Sequence, residues 1–213
     1  MAITLEQRVM STHPAGSWCV KEKAMRMAEI IEQDKPAIAV EIGVFGGDSL
    51  FVMAHAMQHI GAGKAYGIDA WDKEAALVGL DAKNSSWWDG IDLEAYYRST
   101  RTKLKAYGLE PWCELIRSKS TDPATLDKFP DGSIGFFHFD GNHTHGLADV
   151  TAWLSKITVG GTIFYDDVNW AENNTTTNFS GYEYLLDHGC EMREGPNGVL
   201  EMIGDCAVMR KTK

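Results

Sequence analysis

A chain of 213 residues with 44% hydrophobic content can bury a full core, and this length favours one domain over two. Its formal net charge of −10 argues against nucleic acid or anionic membrane as partners, since both require basic surface, and leaves a neutral or cationic small molecule as the easier ligand. No apolar run approaches the ~20 residues of a membrane helix, MAITLEQRVM lacks the basic flank and apolar stretch of a signal peptide, and Cys19, Cys113, Cys190 and Cys206 form no CxxC pair, so a cytoplasmic chain with reduced thiols is expected.

Residues 1–36 read as a helical segment preceding the core: Ala24, Met27, Ala28 and Ile31 form one apolar stripe at i, i+3, i+4 and i+7. From residue 37 onward, compact apolar runs predict buried strands: AIAVEI to Ile42, KAYGID to Asp69, WCELIR to Arg117, IGFFHFD to Asp140 and GTIFYDD to Asp167. Between them lie helical stripes: Leu50, Ala54 and Met57; Leu93, Tyr96, Tyr97, Thr100 and Leu104; and Leu147, Val150, Leu154 and Ile157. Alternating strands and helices predict an α/β, doubly wound, mostly parallel sheet. CEMREGPNGVLEMIGDCAVMRK, with its Gly-Pro-Asn-Gly turn, predicts an antiparallel hairpin at the sheet edge. The irregular stretch at about 71–92, rich in Trp, Asp, Ser and Gly, has the length and composition of a functional lid.

In such a sheet ligands sit at the carboxyl ends of the strands, where VEIGVFGGDS forms the first strand-to-helix loop. Gly43, Gly46 and Gly47 allow close backbone approach, and the helix that follows, near Ser49, offers unpaired amides. Asp69, ending the second strand, can accept from both hydroxyls of a ribose. These features point to a nucleoside without separating NAD from S-adenosylmethionine. The loop lacks the G-x-G-x-x-G spacing, however, and Glu41 would repel a pyrophosphate while suiting a cationic methyl donor. Ser118 or Ser120, after the third strand, could reach the adenine.

Past the fourth and fifth strands stand Asp140, Asp166 and Asp167, three carboxylates without a thiol, a hard-oxygen set suited to Mg2+ or a similar divalent ion. His143 could take a proton from an acceptor hydroxyl near neutral pH. A plainer reading has Asp140 and Asp166 as helix caps, with His143 and His145 facing solvent. Trp71, Trp87, Trp88 and Trp170 fall near the same sheet edge, and Trp18 lies in the N-terminal segment. Their faces could stack on a sugar or planar acceptor, although core packing explains an isolated Trp as well. His55 and His59 have a metal-like i, i+4 spacing but read as ordinary helix surface.

VEIGVFGGDSL, GIDAW, IRSKS, FHFDGNHTHGLADVTAWLSKITVGGTIFYDD and the terminal hairpin together resemble class I S-adenosylmethionine-dependent methyltransferases of the macrocin and mycinamicin sugar O-methyltransferase type. That resemblance spans Val40 to the C-terminus. It implies a seven-stranded Rossmann-like methyltransferase sheet over residues 37–213, with cofactor contacts at Glu41, Gly43, Gly47 and Asp69; Ser49, Ser118 and Asp140 are further candidate cofactor contacts. It also implies Mg2+ held by Asp140, Asp166 and Asp167, and His143 as the base beside Asp140. Phe45 stands at a glycine position of the common loop, and Asn142 stands where some relatives carry an acidic base.

The expected function is therefore Mg2+-assisted O-methylation of a small hydroxylated acceptor such as a sugar or glycan diol, with a homo-oligomer left open. A non-catalytic binding or interaction protein on the same fold is the alternative, and an NAD-dependent oxidoreductase is the weaker third reading.

Overall fold

The computed structural model describes residues 3–213. Helices α1 (Leu5–Met10) and α2 (Lys21–Asp34) precede β1 (Ile38–Ile42), α3 (Asp48–Ile60) and β2 (Lys64–Asp69). Next come α4 (Lys73–Leu77), α5 (Ala82–Ser86), a 3-10 turn at Trp87–Gly90, α6 (Leu93–Ala106), β3 (Cys113–Arg117), α7 (Pro123–Leu126) and β4 (Ile134–Phe139). The chain continues through α8 (Gly146–Trp153), β5 (Ile157–Tyr165), β6 (Ala171–Glu172), β7 (Thr175–Thr176), α9 (Phe179–Asp187), β8 (Cys190–Met192), β9 (Met202–Ile203) and β10 (Cys206–Lys211).

The main sheet runs β3-β2-β1-β4-β5-β10-β8, seven strands along one path, and β9 adds a short eighth against β10. β3, β2, β1, β4 and β5 pair in parallel, and β10 is antiparallel to both neighbours. This is the doubly wound arrangement expected, with the C-terminal pair closing one edge. Both faces of the parallel strands are covered, which is why their sequences are apolar at consecutive positions. Ala39, Phe136 and Phe164 join the core beneath α1, α2 and α3, while Val40, Phe137 and Ile163 join the opposite core with Trp153 and Leu185. α1 and α2 pack on α3, placing the N-terminal segment directly over one face.

Local expectations are corrected at several points. Ile157, expected on the α8 stripe, opens β5 opposite Ile134, and Leu147 is 43% exposed. The helical spacing continued only because the chain reverses through a 3-10 turn at Leu154–Lys156 before entering the sheet. The stretch at 71–92 is not irregular: Asp72 and Asp81 cap α4 and α5 by accepting from Ala75 and Asn84 amides. α9 was not foreseen, because the polar run NNTTTN before it hid a short stripe whose buried members are Gly181 and Leu185.

His55 is buried under α1 with Nε2 2.9 Å from Thr12 Oγ1, not on the surface, whereas His59 pairs with Glu32. All four cysteines are free and buried. No helix among the described residues is long and apolar enough to cross a membrane.

Phe137 is fully buried, its ring 4.1 Å from Phe139 and 5.2 Å from Trp153. Phe137→Ala is expected to lower the unfolding free energy by about 3–5 kcal/mol in urea titration. A loss below about 1 kcal/mol would contradict this packing.

Candidate functional site

β1 and β4 are neighbours whose following helices depart on opposite faces, so the crevice between their loops is the switch point of the sheet. There the glycine loop is pressed against the start of the β4 loop. Gly43 has φ 82°, and a Cβ on it would lie 1.8 Å from the Asp140 carbonyl oxygen, so only glycine fits. Gly47, at φ 88°, turns the chain into α3 and leaves that helix's first amides at the crevice.

Two bulky residues beside this loop are left-handed: Phe45 at φ 45° and Trp71 at φ 42°. Such backbone costs about 1–3 kcal/mol per residue and persists only where the surroundings fix it. Asp69 does the fixing. Its Oδ2 accepts from the Phe45 amide at 2.9 Å and its Oδ1 from the Trp71 amide at 2.6 Å, while Trp71 Nε1 donates to the Phe45 carbonyl at 2.9 Å. Burial raises the Asp69 pKa against the pull of those amides. Phe45 thus adopts at this glycine position a conformation that glycine favours. Its ring stacks 4.0 Å from Tyr96 and 5.8 Å from Trp18, with Trp87 also at 5.8 Å. Ser118 lies beside the same corner, its amide donating to the Asp69 carbonyl, and its hydroxyl accepts from Thr125.

Glu41 and His138 face each other in the β1–β4 register on the α2/α3 side, both at 0% exposure. Glu41 accepts from Ser49 Oγ at 3.0 Å and lies 3.3 Å from His138 Nδ1, so it stands behind the loop. His138 Nε2 is 3.3 Å from Asp166 Oδ2, and that same oxygen accepts from the ammonium of Lys23, which enters from α2. Burial disfavours the charged imidazole, but the hydrogen bonds to Asp166 and Glu41 carry the His138 pKa up to about 10. Burial likewise opposes the Asp166 charge, yet His138 and Lys23 outweigh it and hold this carboxyl below its ordinary range.

Asp140, Asp167 and His143 form the half-buried side of the cluster. His143 Nε2 lies 3.1 Å from Asp167 Oδ2 and 3.7 Å from Asp140 Oδ1, and its ring packs edge-on against Trp170 at 4.6 Å. Burial, Asp166 and Asp205 push the Asp167 pKa up to about 7, and burial lowers that of His143 to about 4. The three expected carboxylates thus divide. Donor atoms of Asp140, Asp166 and His138 lie within 4.8 Å of one another, as do those of Asp140, His143 and Asp167. Asp167 is left-handed at φ 52°, and Asn178 Nδ2 pins the turn by donating to the carbonyls of Asp166 and Asp167.

The segment at 71–92 crosses above these loops. Asn142 Nδ2 reaches the carbonyls of Ala75, Ala76 and Val78 at 3.0–3.3 Å, which makes it a strut between the β4 loop and the roof. Glu172 accepts from the Asp81 amide, Asn84 Nδ2 and Trp170 Nε1, bolting the roof to the β6–β7 hairpin.

Residues 40–168 match the methyltransferase domain family, more than half of the chain. The chain belongs to that family. No curated protein matches the methyltransferase. Among solved structures, an O-methyltransferase from Bacillus cereus in complex with SAH is similar to it at a TM-score of 0.61 and 13% identity, covering 98% of this chain and 90% of that one. TomG of Streptomyces achromogenes, an O-methyltransferase involved in tomaymycin synthesis solved with SAM, gives 0.64 and 15%, covering 98% and 88%. SAH-bound PaMTH1 of Podospora anserina gives 0.62 and 15%, covering 98% and 86%. At these identities the likeness establishes the methyltransferase fold.

Several residues of this cluster are not evident from the sequence. Lys23 and Asn178 lie outside the matched span, and His138 hid inside the apolar strand IGFFHF. The one signal was that histidine at an inward position of a buried strand, since a buried imidazole requires partners.

Below the β4 loop, Asp149 is buried and accepts from Ser120 at 2.6 Å. Burial raises its pKa to about 6 from 3.8 despite that bond. The raised value favours folding while the carboxyl is protonated, and that contribution is lost as pH rises from about 4 through about 6. Asp149→Asn should therefore be more stable than the parent by about 3 kcal/mol at pH 8, with the gain shrinking at pH 5, in urea titrations at both values. An equal gain at both would refute this origin.

Proposed function

We propose that the chain is an S-adenosylmethionine-dependent O-methyltransferase, assisted by Mg2+ or a similar ion, acting on a small hydroxylated acceptor such as a sugar or glycan diol of the macrocin and mycinamicin type. The observation that carries this reading is the contact between Gly43 and Asp140: the glycine loop and the acid–imidazole cluster share a wall at the switch point. SAM and SAH occupy the similar O-methyltransferases TomG and the Bacillus cereus enzyme, which supports the same donor here.

The donor chemistry fits a divalent ion. Asp140 and Asp167 offer two hard carboxylates with oxygens within 4.8 Å of each other, and Asp166 adjoins Asp140. Asp140, Asp166 and Asp167 would hold the ion, which when bound supplies Lewis acidity and a template for acceptor oxygens. S-Adenosylmethionine supplies the methyl group when bound.

The chain's own residues have the following parts. Gly43 and Gly47 let the backbone approach the donor, and Asp69 has lone pairs beyond its two amide bonds for a ribose hydroxyl. Ser118 stands at the adenine end. His143, whose depressed pKa of about 4 keeps its imidazole neutral at neutral pH, takes the acceptor proton as the oxygen gains its methyl. Trp170 and the roof shield that step from water.

Calorimetry with S-adenosylmethionine and S-adenosylhomocysteine, each with and without Mg2+, is expected to show binding of both; silence with both would sink the reading. His143→Ala should lower turnover on a responsive sugar or catechol by about 10²–10⁴ while S-adenosylhomocysteine still binds. Unchanged turnover would remove His143 as the base.

A further inference from the structure

The cluster holds a group that the proposed reaction does not use. Lys23 is 6% exposed, and its ammonium contacts Asp166 on the oxygen that also faces His138. A lysine is not needed there to dock α2, because Ala24, Met27, Ala28 and Ile31 are all fully buried and already anchor that helix. Burying an ammonium is unfavourable unless a carboxylate requires it. The acids are what require it: Glu41, His138, Asp166 and Lys23 form an alternating row, and Asp140 and Asp167 stand beside it with His143 between them.

We infer that Lys23 is a positioning residue, a resident cation that holds Asp166 in place and sets how tightly the acid cluster takes a divalent ion. The inference rests on the reading above that the cluster takes such an ion. Acting through Asp166, the ammonium neutralises one carboxylate and repels an arriving cation, so affinity for the ion stays below what three free carboxylates would give. It also links the site to the N-terminal segment. Ser17, ahead of α2, donates to Asp48 at the start of α3, so the helix that brings Lys23 is tied to the glycine loop as well.

The sign of the effect separates this from a structural lysine. Mg2+ and Mn2+ are titrated calorimetrically into the full chain with S-adenosylhomocysteine present, using the parent, Lys23→Met and Lys23→Arg, and melting curves are recorded alongside. Lys23→Met is expected to bind the ions about tenfold more tightly, or better, and to gain more in melting temperature from added ion than the parent. Lys23→Arg should stay within about threefold of the parent.

A folded Lys23→Met that binds the ions equally or more weakly overturns the inference, and so does a Lys23→Met that stays unfolded in millimolar Mg2+. If Lys23→Met folds only with the ion present, the inference stands. Failure of every form to bind overturns both this inference and the metal reading. Binding by Lys23→Met alone supports the resident cation and removes the ion from the parent's site.

Discussion

The site is built on a buried row of alternating charge, Glu41, His138, Asp166 and Lys23. Four ionisable groups with 0–6% exposure can share an interior only if each is paired, since an isolated buried charge costs several kcal/mol. The sheet dictates where the pairs fall. Glu41 and His138 are cross-strand partners, and Asp166 follows β5 on the face that Phe164 shares with His138's neighbour Phe136. The row closes only when α2 brings Lys23 over that face. One electrostatic requirement thus orders β1, β4, the end of β5 and the N-terminal helix together.

With the row fixed, the reactive side of the crevice follows from how the chain leaves each strand. After β1, β2 and β5 it turns through left-handed residues, Phe45, Trp71 and Asp167, and each is restrained by a polar side chain. Asp69 restrains the first two through their amides, and Asn178 holds the carbonyls around the third. The strain sits where the carboxylates and the glycine loop must converge within a few ångströms. The roof is hung from the same loops by Asn142 and Glu172, so its position is coupled to the acids beneath it.

Much of this was legible in the sequence. Doubly buried parallel strands print nearly continuous apolar runs, which located all five parallel strands and put Asp69, Asp140, Asp166 and Asp167 at or just past their ends. Glycine positions marked the loop, because Gly43 tolerates no Cβ. What could not be read is what depends on contacts between distant segments. Ile157 kept helical spacing while belonging to a strand, and the 71–92 roof lacked periodicity because its helices are single turns held by Asp caps. Asn142 matched the place of an acidic base, yet its amide serves three carbonyls of the roof. Lys23 sat in a helix whose apolar stripe was visible, but no local pattern reveals that a lysine beside that stripe will be buried against an aspartate 143 positions away.

Residues 40–168 contain the glycine loop, Asp69, the acids and His143. Two groups that bear on those acids lie outside that span: Lys23 before it contacts Asp166, and Asn178 after it fixes the turn carrying Asp167. Both act without facing the crevice as reactants, one through charge and the other through backbone hydrogen bonds. The matched domain therefore carries the candidate reactive side chains, while the flanking segments bear on their charge and backbone geometry. In this chain α2 and α9 are parts of the candidate site as much as the loops they support.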